Sequence, residues 1–128
     1  MSKPVLKMVS DAMDALGINY ELKKWTGEIV YPYFVGEYQE TPSPNEDGLI
    51  DTGFILSGFA RGATATDELL NAKEKIQEYF PSVGGRRAIT DNSAVAIFYA
   101  GCYDNLPTGD AELEKIQINL DVKEWRVI

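Results

Sequence analysis

In the stretch EKIQINLDVKEW, residues 114–125, Ile116, Ile118, Leu120 and Val122 alternate with Lys115, Gln117, Asn119, Asp121 and Lys123. A period of two places successive side chains on opposite sides of an extended backbone, so the segment buries its four aliphatic residues together only as a strand with one dry face and one wet face. Such a strand needs neighbours beside it and a covering layer on its dry side. From Glu124 the pattern slips, with Trp125 and Val127 falling on the formerly polar side. A bulge, a strand end or a partner covering the tail is expected there.

The covering layer is legible elsewhere in the chain. Val5, Val9, Ala12 and Leu16 recur at helical spacing between Lys3 and Leu16, widened by Leu6 and Met13, and Gly17 stands where a helix stops. Leu69, Ala72, Ile76 and Tyr79 mark one face of a second helix, opened by Thr64 with Asp67 in a capping-box arrangement and closed by Pro81. Three strands are expected between the helices. The first alternates Ile18, Tyr20 and Leu22 with polar residues and runs to Trp25, where Thr26-Gly27 turns the chain. The second is EIVYPYFVGEY, apolar on both faces, with Pro32 marking an edge or a bulge. The third is IDTGFILSGFARG, with Phe54, Leu56 and Ala60 on one side and Ile55, Ser57, Phe59 and Arg61 on the other. Gly84-Gly85 reads as a turn, and SAVAIFYAGCY as a buried strand before the closing one. The order α-β-β-β-α-β-β predicts a single α+β domain over residues 1–128: an antiparallel sheet of about four or five strands with two helices packed on one face.

Composition narrows the chemistry. Twelve basic against twenty acidic residues, a net charge of −8, disfavour a protein that grips phosphate backbones. No apolar run reaches the roughly 18 residues that a membrane helix needs, and the start carries no signal-peptide core, so a soluble, unprocessed protein is expected. There is no histidine, hence no imidazole base and no histidine-based metal site. The single cysteine, Cys102, sits among apolar neighbours and reads as a small buried hydrophobe suited to a reducing compartment. Acidic residues gather at 37–51 and 104–114 without the spacing of a calcium loop, and read as solvated loops. Arg86 and Arg87 of GGRR lack the context of a phosphate loop and read as a surface turn. Arg61, at a strand end, is placed either to face the interior of a ring or to pair with an acidic loop, and the pairing is the expectation.

One triplet invites an enzymatic reading. Asp51-Thr52-Gly53 is how an aspartic protease presents its carboxylate, and one copy per chain would make half of a symmetric dimer. That chemistry needs the aspartate in a tight turn facing its counterpart in a second chain, whereas FILSGFA continues as a strand. Asp51 reads instead as the last polar residue of an acidic loop, with Gly53 at a bulge.

The succession of elements, with the phrases YPYFVGE, FARG and IQINLDV, resembles the small tail-terminator and tail-completion proteins of long-tailed bacteriophages from about Val5 to Trp125. Residues 82–93 have no counterpart in that resemblance. It implies a structural protein and not an enzyme, without cofactor or metal. It also implies an α+β subunit of a homo-oligomeric ring, commonly of six, at the head-proximal end of the virion tail, assembled in the host cytoplasm. Its partners would be its own copies, the tail tube protein and a head-completion or connector protein. DNA would pass an acidic pore without specific binding, and no membrane would be involved. The loop Gln39, Glu40, Thr41, Pro42, Ser43, Pro44, Asn45, Glu46, Asp47, Gly48 is then expected to contact tube or head, and Tyr31, Tyr33, Val35, Trp125 and Val127 to form the subunit interface. Another minor tail or head-tail connector component is the alternative reading; a soluble binding domain or the protease would be further ones.

Overall fold

In a computed structural model, residues 2–39, 49–89, 93–104 and 106–126 are described, Gln39 and Arg126 through their backbone alone. The elements run α1 (Lys3–Ala15), β1 (Asn19–Leu22), β2 (Tyr33–Gln39), β3 (Leu49–Arg61), α2 (Ala65–Tyr79), β4 (Arg86–Ile89), β5 (Ser93–Tyr103) and β6 (Leu113–Arg126). Among the described residues, six strands form one sheet in the order β1-β2-β3-β6-β5-β4. The mixed α/β architecture stands as expected, with six strands where about four or five are read from the sequence. The sheet is also not wholly antiparallel, because β1 lies parallel to β2.

The extra strand is β4. Arg86 and Arg87, read as a surface turn, begin four residues that pair antiparallel with Ile97 to Ala94 of β5. Four residues are too short to show a period, and the Gly84-Gly85 turn before them hides their start. The second strand is shorter than expected: Glu28 to Pro32 lie outside β2, and Ile29 and Val30 are 52% and 54% exposed. Pro32 therefore precedes the strand, which is an interior one between β1 and β3.

β3 and β6 form the spine, paired without interruption from Leu49↔Trp125 to Arg61↔Leu113. That register overturns two expectations. Gly53 sits at no bulge; the irregularity falls between Tyr99 and Gly101 of β5. The alternation of β6 does not slip at Glu124 either. The strand continues in phase, Glu124 is buried on the same side as Val122, and Trp125 follows Lys123 onto the other side. The expected phase change was one of chemistry at a fixed geometry.

One buried cluster holds the fold together. Val5, Val9, Ala12 and Met13 of α1 and Ala65, Leu69, Ala72 and Ile76 of α2 join Phe34, Phe54, Leu56, Ile97, Ile116, Ile118 and Leu120 of the sheet. Both helices thus cover the same face. Each large aliphatic or aromatic residue taken wholly out of water there contributes about 1.5–3 kcal/mol. Leu16, expected on the α1 stripe, is the helix C-cap and packs at the margin; Gly17, with φ of +69°, turns the chain away. The capping box of α2 does not form. Thr64 makes no side-chain cap, and its Oγ1 instead donates to Glu68 Oε1 at 3.1 Å. Asp67 and Glu68 still place negative charge in the first turn, where it complements the helix dipole.

Candidate functional site

The helices do not cover the other face of the sheet, although Val35 and Ser57 on that side are themselves buried. Alternation sends Tyr33, Val35 and Glu37 of β2, Asp51, Ile55, Ser57 and Phe59 of β3, and the polar row of β6 to that side. Three of the residues expected at a subunit interface, Tyr33, Val35 and Trp125, share this face. Tyr31 joins them through its contact with Tyr33, their ring centroids 5.6 Å apart. Val127 and the loop Glu40 to Gly48 lie outside the described residues, and Gln39 ends β2.

The surface has two unlike apolar corners. At the first, Tyr33 is stacked on Phe59 of the neighbouring strand at 5.1 Å, and Trp25 closes on Tyr33 at 4.9 Å. The chain reaches Trp25 because Glu21 accepts from the amide and the hydroxyl of Thr26, at 2.6 and 2.7 Å, which folds the residues after β1 back. These bonds hold the Glu21 carboxyl below its usual range. Lys115 rides 5.6 Å from the Phe59 centroid, and Arg61 lies 5.9 Å from that of Tyr31. Cations over ring faces are attracted by the quadrupole.

Arg61 ties this corner to the second acidic stretch, as expected of it. Its Nη2 donates to Asp110 Oδ2 at 2.7 Å, and its Nη1 stands 3.6 Å from Glu112 Oε2. Hydrogen bonds to Tyr31 and Asp110 raise the guanidinium above its already high range, and the Arg61 bond is the first cause holding the Asp110 carboxyl low. The amide of Glu112 adds to it, donating to Asp110 Oδ1 at 3.0 Å.

At the diagonally opposite corner, β4, β5 and β6 frame an apolar concavity of about 390 Å³ lined by Ile89, Ala94, Ala96, Phe98 and Trp125, with Arg87 at its rim. Ile89 is 89% exposed. Sequence reasoning missed Ile89 and Phe98 as parts of this surface. Their signal was parity, which becomes readable only once β4 is known to pair with β5. Gly85, just before β4, faces the Phe98 ring so closely that a Cβ would meet it at 2.7 Å.

Between the corners lies a feature that the triplet Asp51-Thr52-Gly53 only half announced. Asp51 pairs in register with Lys123, and Gly53 with Asp121, so the two aspartates are diagonal neighbours across β3 and β6. Their carboxyl groups hydrogen-bond, and Asp121 is pushed up to about 6, first by desolvation and then by Asp51, against the opposing pull of Lys123. The carboxyl partner that a protease would draw from a second chain is supplied by the same chain. It sits on a continuous ladder and not in a turn, and Thr52 is buried on the helix side. Asp121 was legible only as one wet residue of an alternating strand.

Elsewhere, Cys102 is half-buried against the core, and burial raises its thiol pKa. Among the described residues, no three His, Cys, Asp or Glu side chains gather as metal ligands would. Among the described residues, no helix is long and apolar enough to cross a membrane. The chain matches no protein-family model and no curated protein.

Proposed function

We propose that this chain is a structural subunit whose copies associate through the open face of the sheet, and that the assembly is a ring capping a phage tail tube. The observation that carries the reading is the pair of unlike apolar corners on one uncovered face: the Tyr33–Phe59 stack on β2 and β3, and the Ile89–Trp125 concavity on β4, β5 and β6. Two different patches on one molecule suit a heterologous contact, in which one patch meets the other on the next copy and the rotation closes a ring. The second corner exposes Ile89 and Trp125 and the first is half-exposed, and apolar surface of this kind marks association sites.

The resemblance to tail-terminator and tail-completion proteins gives the ring its role. A subunit that covers the growing tip of a tube, and offers no tube-like surface beyond it, ends polymerisation by occupying the only available edge. The other side of the ring then serves a head-completion protein, and the acidic loops let DNA pass, since like charges repel the backbone. No bond is made or broken.

Native mass spectrometry over a range of concentrations tests the association. A single closed stoichiometry that dissociates on dilution is expected; an open ladder of sizes speaks against a ring, and a monomer throughout speaks against association by this face.

A further inference from the structure

The carboxyl pair borders the second corner. Asp121 lies opposite Phe98 of β5, and Asp51 lies opposite Lys123, one residue row from Leu49 and Trp125. The lining of the concavity ends at Phe98 and Trp125, beside the pair, so a copy that fills it and extends across β6 covers the pair. Two ionised carboxylates offer only acceptors, so a hydrogen bond between them needs a proton held by one of them.

Among the described residues, the charges around the pair are few. On β6, Lys123 lies next to Asp121 on the same face, its Nζ 5.8 Å from the Phe98 centroid. On β5, the residues facing out beside the pair are Ala94, Ala96 and Phe98, all uncharged, and Arg87 of β4 stands beyond Ala96. On β2, Glu37 is the outward charge, opposite Ile55. The helices lie behind the sheet, where Glu124 is buried on the far side.

We infer that association through this face is proton-linked: the covered state holds one proton shared between Asp51 and Asp121, so copies bind one another more tightly as the pH falls. The inference rests on reading the open face as the surface through which copies associate. With the face open, Asp121 is pushed up only to about 6, so in most of the population at pH 7–8 water solvates two adjacent charges. Covering removes that water, and desolvation disfavours the doubly ionised pair far more than the singly ionised one. The proton affinity of the covered state is then the higher one. By linkage, association takes up a proton in the window above the free-state titration and strengthens as pH drops through it, by up to about tenfold per pH unit for each contact formed.

Sedimentation velocity of the full chain at pH 5.5 and pH 8.0, at equal ionic strength, tests this with Asp121→Asn and Asp51→Asn beside the wild type. Asparagine keeps the shape and supplies a neutral donor to the remaining carboxylate, imitating the protonated pair. The wild type is expected to associate at least tenfold more tightly at pH 5.5, and each variant to associate at pH 8.0 as the wild type does at pH 5.5, with its pH dependence lost. Equal wild-type association at both pH values overturns the proton link alone, as does a variant that keeps the full wild-type pH dependence. Circular dichroism of each variant establishes that it is folded. Carboxyl-carbon NMR of the dilute monomer supplies the second arm. A monomer at every pH and concentration, with Asp121 titrating as a shared carboxyl, overturns the association reading and the link with it. Asp121 titrating as an ordinary aspartate overturns the link while leaving the association reading in place.

Discussion

The ring of Phe34 and the methyl of Ile116 occupy the space that a Cβ on Gly58 would need. Phe34 and Gly58 are register partners across β2 and β3, so the missing side chain on one strand is what lets the aromatic ring lie flat on the other. Phe34 is wholly buried and belongs to the main cluster. Gly58→Ala is expected to destabilise the chain by about 1–3 kcal/mol through overpacking. Phe34→Ala is expected to cost about 3–5 kcal/mol through the cavity it leaves. Urea unfolding checks both, and a Gly58→Ala midpoint equal to that of the wild type would contradict the packing described.

The Arg61–Asp110 pair gives a pH-dependent contribution whose sign is set by Asp110. Arg61 holds its folded-state carboxyl below the unfolded value, so the pair stabilises above the ordinary carboxylate range and loses its effect as pH falls through the folded value. Asp110→Asn should therefore unfold at lower urea than the wild type near neutral pH. The difference should shrink as the solution is acidified, and also with added salt, because both partners are in contact with water. A difference that grows on acidification would reverse the assignment.

Trp125→Glu and Ile89→Asp place charge in the apolar concavity without touching the main cluster. Ile89→Asp, at an 89% exposed position, should leave monomer stability within about 0.5 kcal/mol of the wild type, as surface changes do, whereas Trp125→Glu, at a side chain only 37% exposed, should cost more. Both should weaken self-association at least tenfold, measured as the dissociation constant by sedimentation equilibrium. Large stability losses with association intact would place these residues in the fold and not at a contact.

Asp51 meets a carboxyl group, as the Asp-Thr-Gly triplet suggests, yet within the paired strand β3 and not in a turn. No hydrolysis of a mixed peptide substrate library between pH 3.5 and 6 is expected from the purified chain. Cleavage that Asp51→Asn abolishes would restore the protease reading.

How much of this was legible depended on whether the signal was local. The alternation from Ile116 to Val122, the two helix faces and the division of Phe54, Leu56 and Ala60 from Ile55, Ser57 and Phe59 are all periods within one segment, and the structure follows them. The pairing of Arg61 with an acidic stretch, 49 residues away in the chain, is an exception read from charge and not from period. Pairing between segments carries no such period. That β1 lies parallel to β2, that RRAI is a strand, and that Asp121 stands beside Asp51 all depend on register, which one chain's sequence does not display. Glu124 shows the opposite trap. A carboxylate at a core-facing position looked like a slip of the strand, although the backbone continued unchanged. The run Ile29-Val30-Tyr31 read as strand because its β-branched and aromatic residues favour one, but Ile29 and Val30 stand exposed beyond the sheet.

The most direct test is immunogold electron microscopy of long-tailed particles released by cells that carry this sequence, using antibody raised against the purified chain. Label confined to the junction of head and tail is the result expected of a subunit that closes the tube. Particles that carry no label, or label spread evenly along the tail, would contradict it.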